Sequence, residues 1–442
     1  MWLAAVTATL WLTSPLPAQE GPADTEASAE EPERRATNIS WNPLTTQDEI
    51  RALRRTELTE FDPATKQTVL SAPNEQMLAK YLQNAVNSLT VEQEVDNFPT
   101  IIERRILAPI ERGSTSDAAR AFMLDFTMKA AEQLLQDQPP IVQYNAVSLI
   151  SQLNARPADN SRRPPVPAAP YLPTIQPLLR VLSDQSLPVH CRIMACRGLS
   201  RILRNGEPST PQRADIGAAL AAAMRQPVRN PLAAQWLRLR IIEALGLTGR
   251  LYDINGAPVI VDALLNTVAA KDETWVVRSA AARALSQLPF EGTTNVELIN
   301  HEIAKLAREL AVAYNADRNK RASQWRWSFA TLYLSYMAET EADQKVRKWG
   351  LRSQNQARGR AQVDAAYQAL LPIFKQMIEG ARPEPIPDAR ITALNAWLDQ
   401  NKPADRKATP RSEELKELAA SPEGAVMSVH PVAAETQEVS RL

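Results

Sequence analysis

The sequence predicts an all-α fold: a right-handed α-solenoid of stacked antiparallel helix pairs, with disordered N- and C-terminal segments. Three observations carry this. Ala and Leu are plentiful while Gly is scarce, 13 in 442 residues, and Ala and Leu lose little on entering a helix. The 33 prolines cluster between apolar segments, where a fixed φ and a missing donor punctuate helices. A ten-residue pattern occurs four times in the same order through the middle of the chain, each time behind a second apolar helix.

From the N-terminus, Met1 precedes an apolar run, Trp2 to Leu12, and then Ser14-Pro15-Leu16-Pro17-Ala18. An h-region followed by a Pro and a small residue reads as a signal peptide over 1–18, cleaved after Ala18, although no Lys or Arg precedes the run. The chain is therefore expected to be exported, to the periplasm or outside the cell. No other stretch has the ~18 apolar residues that span a bilayer. Residues 19–40 lack large apolar residues before Ile39 and read as a disordered acidic linker. Residues 41–117 are expected to be an N-terminal helical cap. Its patterning begins near Thr46, with Ile50, Leu53 and Leu58 on one face, and continues with helices over 75–90 and 98–112.

The repeating pattern occupies 118–290, interrupted by a Pro-rich loop over 156–173. Its four copies are Val142-Gln-Tyr-Asn-Ala-Val-Ser-Leu-Ile-Ser151, Val189-His-Cys-Arg-Ile-Met-Ala-Cys-Arg-Gly198, Leu237-Arg-Leu-Arg-Ile-Ile-Glu-Ala-Leu-Gly246 and Val277-Arg-Ser-Ala-Ala-Ala-Arg-Ala-Leu-Ser286. Their starts lie 47, 48 and 40 residues apart, and the preceding helices are expected over 118–136, 174–182, 212–225 and 257–270. The first, fifth, sixth and eighth positions form one apolar stripe, with small residues that let neighbouring helices approach. One helix pair cannot bury such a stripe alone, so pairs must stack. Gly113, Gly246, Gly249 and Gly256 read as helix stops. Further helices over 295–314, 321–338 and 358–380 continue the array through 291–380. Residues 381–442 are expected to be mostly disordered, apart from a short helix over 388–401.

The fourth copy, Val-Arg-Ser-Ala-Ala-Ala-Arg-Ala-Leu, closely resembles the HEAT-repeat pattern. The resemblance implies a turn Asp six residues before an Arg, the two forming a polar ladder between repeats. Asp137, Asp184 and Asp272 stand six residues before Gln143, His190 and Arg278, while Leu232 holds the place before Arg238. The implied ladder is incomplete.

Chemistry-bearing motifs are sparse. The three histidines, His190, His301 and His430, are isolated, and the two cysteines, Cys191 and Cys196, are five apart on one helix. That offset separates them by about 140° around the axis, poor geometry for a bridge. No zinc-binding His or Cys spacing, phosphate-cradling Gly loop or nucleophile elbow is present. No catalytic residue, cofactor or metal site is nominated, and the expectation is a non-enzyme.

Two constellations are candidates for partner binding. Arg192 and Arg240 occupy the fourth slot of adjacent copies, with Arg201 and Arg204 further along the same helix as Arg192. The stretch 175–252 holds eleven arginines against four acids, whereas 19–50 holds eight acids against two arginines. A basic strip would suit an acidic partner, the chain's own leader included; a solvated face is the plainer explanation. The second set is Trp325, Arg326, Trp327 and Trp349, residue types that anchor interfaces, although Trp325 and Phe329 also have ordinary core spacing. With zero formal net charge, nothing selects nucleic acid or an anionic membrane. The expected role is a protein-binding scaffold outside the cytoplasm. The alternative is an envelope-associated binder of anionic polymer or polysaccharide, and a hydrolase with an unrecognised site stands third.

Overall fold

The computed structural model describes residues 59–62, 67–91, 97–113, 117–228, 230–337, 350–354, 359–380 and 383–415. The signal peptide, the acidic linker and the helical pattern expected from Thr46 to Leu58 lie outside these, as does the chain after Leu415. The described chain is mostly helical. It opens with an antiparallel hairpin of β1 (Thr59–Asp62) and β2 (Gln67–Leu70), where the sequence reading placed a helical cap. Thr and Val in these strands are β-branched and favour the extended backbone.

Helix α1 (Ala72–Asn87) follows, then a helical stretch over 98–113. Much of that stretch winds as a π-helix, the Ala108 amide reaching back to the Glu103 carbonyl. Pro109 lies next in sequence and has no amide to restore the tighter ladder. The remaining helices are α2 (Asp117–Gln133), α3 (Pro140–Gln152), α4 (Ile175–Ser183), α5 (Val189–Asn205), α6 (Thr210–Met224), α7 (Pro231–Leu247), α8 (Val259–Ala269), α9 (Trp275–Ser286), α10 (Val296–Ala316), α11 (Ser323–Tyr336), α12 (Arg360–Glu379) and α13 (Asp388–Gln400). Short strands β3 (Asn154–Arg156) and β4 (Ala169–Pro170) close the base of the Pro-rich loop.

These helices pack in two rows. One row runs α3, α5, α7, α9, α11 and α12, each against the next; the other runs α4, α6, α8 and α10, with α12 and α13 against α10. Pairs α2–α3, α4–α5, α6–α7, α8–α9 and α10–α11 join across the rows. The core lies between them, and its stripe follows the predicted spacing in three helices: Val142, Ala146 and Val147 in α3, Leu237, Ile241 and Ile242 in α7, Val277, Ala281 and Ala282 in α9.

Helix α5 departs from the gapless alignment. Its buried stripe is Cys191, Ala195, Cys196 and Leu199, two residues later than an alignment on Val189 requires. The helix starts determine this. In α3, α5 and α9 the first stripe residue is the third after the N-cap, at Val142 after Pro139, Cys191 after Pro188 and Val277 after Thr274. Helix α7 begins a full turn earlier, at Asn230. Gly246 proves to lie inside α7 and not at its stop. A Cβ there would meet Cα and Cβ of Ala284 on α9 at 3.1 Å, so its absence permits the close approach.

The chain after α13 also differs from expectation. Residues 402–415 were expected to be disordered, yet Ala408, Thr409, Ser412 and Leu415 are buried. Apolar patterning could not reveal this, because the segment has few large apolar residues and its hydrogen bonds run to Asn295 and Gly256, at the starts of α10 and α8.

Candidate interaction surfaces

The corrected register puts Arg192 at the position of Arg278. Each arginine donates through Nε to the carbonyl ten residues earlier, at the end of its partner helix: Arg192 to Leu182 at 3.1 Å, Arg278 to Val268 at 2.9 Å. Gln143 of α3, also four residues past its N-cap, donates to the Leu135 carbonyl at 3.0 Å. These bonds satisfy helix-end carbonyls that have no intrahelical donor.

The same arginines also reach into the next helix pair. Arg192 Nη2 donates to Gln226 just beyond α6, and Arg278 Nη2 pairs with Glu309 of α10 at 2.7 Å. Arg238, at the equivalent place in α7, pairs with Glu273 before α9 at 2.8 Å. Forward contacts of this kind form a ladder, but its acceptors are Gln226, Glu273 and Glu309. Asp184, one of the acids the resemblance nominated, closes its own turn by accepting from the Ser186 amide and hydroxyl at 2.8 and 2.6 Å.

The proposed arginine strip therefore does not assemble. Arg192 is 3% exposed, and burial holds its guanidinium below arginine's ordinary value. Arg201 is turned inward to the Leu153 carbonyl, at 2.9 Å, and to Asn154, which also donates to Glu111 at 2.6 Å. Arg240 lies over the Trp236 ring at 5.7 Å and pairs with Glu243 at 2.7 Å. Arg204 alone of the four is exposed. Arg192 and Arg201 are thus engaged across helix–helix seams, where a guanidinium finds carbonyls and side-chain amides to bind, while the contacts of Arg240 stay on its own helix.

The tryptophan set divides likewise. Trp325 is buried, its Nε1 donating to Asp317 at 2.8 Å and its ring edge-on to Tyr314 at 5.9 Å. Arg326 is exposed on the same helix and donates to the Ile378 carbonyl at 2.8 Å. Trp327 remains 39% exposed. Trp349 lies outside the described residues. Among the exposed apolar residues not singled out from the sequence are Leu232 at 55% and Trp236 at 42%. They stand on the first two turns of α7. Asn230-Pro231 was the available signal, an N-cap residue followed by a Pro suited to the first helical position.

Of the remaining reactive groups, the two cysteines are enclosed and His190 is not. Cys191 and Cys196 are free and buried, and burial pushes both thiols up to about 12. His190 is exposed, edge-on to Tyr144 at 5.6 Å. His301 sits in α10 beside buried Glu302, its Nδ1 3.7 Å from that carboxylate. Burial alone would raise the Glu302 pKa, but His301 and the charges of Lys305 and Arg406 hold it below the ordinary value. His430 lies outside the described residues. Among the described residues, no group of three or more His, Cys, Asp or Glu could hold a metal ion, and no helix is long and apolar enough to cross a membrane. Compared with protein-family models, curated proteins and solved structures, the chain matches none.

Proposed function

We propose that this chain is an α-solenoid of the HEAT-like type, right-handed, serving as a non-enzymatic protein-binding scaffold outside the cytoplasm. The observation that carries the reading is the two-row packing, in which successive helix pairs meet through apolar stripes and, at three junctions, a forward-reaching arginine. Stacked pairs present long surfaces assembled from successive units, a form suited to holding partners. The apolar side chains at Leu232, Trp236 and Trp327 support a protein partner, since exposed Trp anchors interfaces when water is excluded around it. Export rests on the Met1–Ala18 pattern.

The test is retention of cell-envelope proteins by the immobilised chain at low and high salt, alongside the Leu232→Ser/Trp236→Ala variant. A discrete protein held at high salt by the parent chain and released by the variant is the expected result. Retention only at low salt, with anionic polysaccharide in the eluate, would move the assignment to the polymer-binding alternative. Retention of nothing specific at either salt would end the scaffold reading.

A further inference from the structure

After α13 the chain turns at Asn401 and runs back, without helix or strand, across the N-terminal ends of α10 and α8. Asn295, the N-cap of α10, is the centre of its seat. Its Oδ1 accepts from the Leu298 amide at 3.1 Å, which caps the helix. Its Nδ2 donates to the main-chain carbonyls of Asp405 and Lys407 at 3.0 and 3.1 Å, and its amide donates to the Ala408 carbonyl at 2.8 Å.

Small side chains fill the pockets beyond. Ala408, Thr409 and Ser412 are buried; the two hydroxyls lie 2.9 Å apart, and Ser412 lies near Asp262 at the start of α8. Arg411 donates to the Gly256 carbonyl at 3.1 Å. Gly256 has φ +76°, and a Cβ there would come 2.4 Å from the Arg411 guanidinium, so this turn is shaped to let the arginine pass. Arg406 and Leu415 close the far end by exchanging two bonds, at 3.0 and 2.9 Å.

Peptide recognition combines the same two elements: donors on the receptor read main-chain carbonyls, and pockets select side chains. The seat belongs to the helix ends, and the segment contributes few large apolar groups to it. Segments of that composition open at a lower free energy than the core they rest on.

We propose that the groove between the N-terminal ends of α8 and α10 is a peptide-binding site for a segment of the pattern Ala-Thr-Pro-Arg-Ser that turns at Thr409–Ser412, occupied in cis by residues 405–415 as a detachable clasp. The site is independent of whichever partner the helical rows engage. Release of the clasp would open the same groove to a competing segment of like pattern.

The experiment uses the full chain carrying Ala408→Arg/Arg411→Ala, which damages the clasp and leaves the groove intact. Its probe is a fluorescent synthetic peptide of residues 402–415, followed by anisotropy. The clasp variant should bind the peptide at least tenfold more tightly than the parent chain does. Adding Asn295→Asp, which keeps the helix cap and removes the two side-chain donors, should abolish that gain. A second form needs no destabilising change: a protease site inserted between Asn401 and Lys402 in the full chain, then cut. The released segment should dissociate on dilution while the helical signal is kept. Peptide binding that is equal in parent and clasp variant, or unaffected by Asn295→Asp, would overturn the proposal. So would a cut chain that unfolds or never releases the segment, since residues 405–415 would then be an inseparable part of the fold.

Discussion

At Arg278 one side chain caps a helix end, lies over the Trp275 ring at 5.1 Å and pairs with Glu309 on the following helix pair. Arg204 does none of these things in the open. Arg278→Met is expected to cost about 2–4 kcal/mol in urea denaturation, because it strands a helix-end carbonyl and unpairs a shielded carboxylate. Arg204→Ala should stay within about 0.5 kcal/mol. A loss below about 1 kcal/mol at Arg278 would mean that the ladder is incidental to stability.

Glu302 gives a pH signature. Its folded carboxyl is held below the unfolded value of about 4.3. A depressed folded value means the unfolded chain binds the proton more readily. The stabilisation is therefore complete above that pH and is lost as pH falls through the folded value. Parent stability should accordingly fall more steeply below about pH 4.3 than that of Glu302→Gln. Equal acid slopes in the two proteins would remove Glu302 from the account.

Among the elements, the Pro-rich excursion between β3 and β4 is the most separable. Its tip, from Asn160 to Pro167, is almost wholly exposed, and its base is tied by Asn154, which bridges Arg201 and Glu111. Replacing residues 157–168 by an Asn-Gly turn should change the melting temperature little, because loop length enters closure entropy only logarithmically. A large drop would show that the excursion supports the helices beneath it.

The helices themselves were legible in the sequence, since a stripe spaced by three and four residues can be buried only by a helix. Register was less so. Val189 looks like the apolar first position, and only the helix start at Pro188 moves the stripe to Cys191. Arg192 and Arg201 do not join a surface strip, and sequence cannot separate a solvated guanidinium from one bonded to a carbonyl across a helix seam. The clasp was illegible for a related reason. Its hold depends on Asn295, more than one hundred residues away, so Ala-Thr-Pro-Arg-Ser carries no local pattern of burial.

At the scale of the molecule, each helix pair contacts its neighbours in the two rows, so perturbations should decay along the array. Arg278→Met is expected to raise amide hydrogen exchange in α8 to α10 and leave α3 and α4 at parental rates. A uniform rise through every helix would indicate one all-or-none unit in place of nearest-neighbour coupling.

The path of the chain after Gln400 has a mechanical consequence. Because residues 405–415 return to the starts of α10 and α8, tension applied beyond Leu415 would not peel α13 from the end of the array first. It would load the bonds at Asn295 and Gly256 in shear, well inside the described structure. The last helix would thus be relieved of load until those anchors gave way.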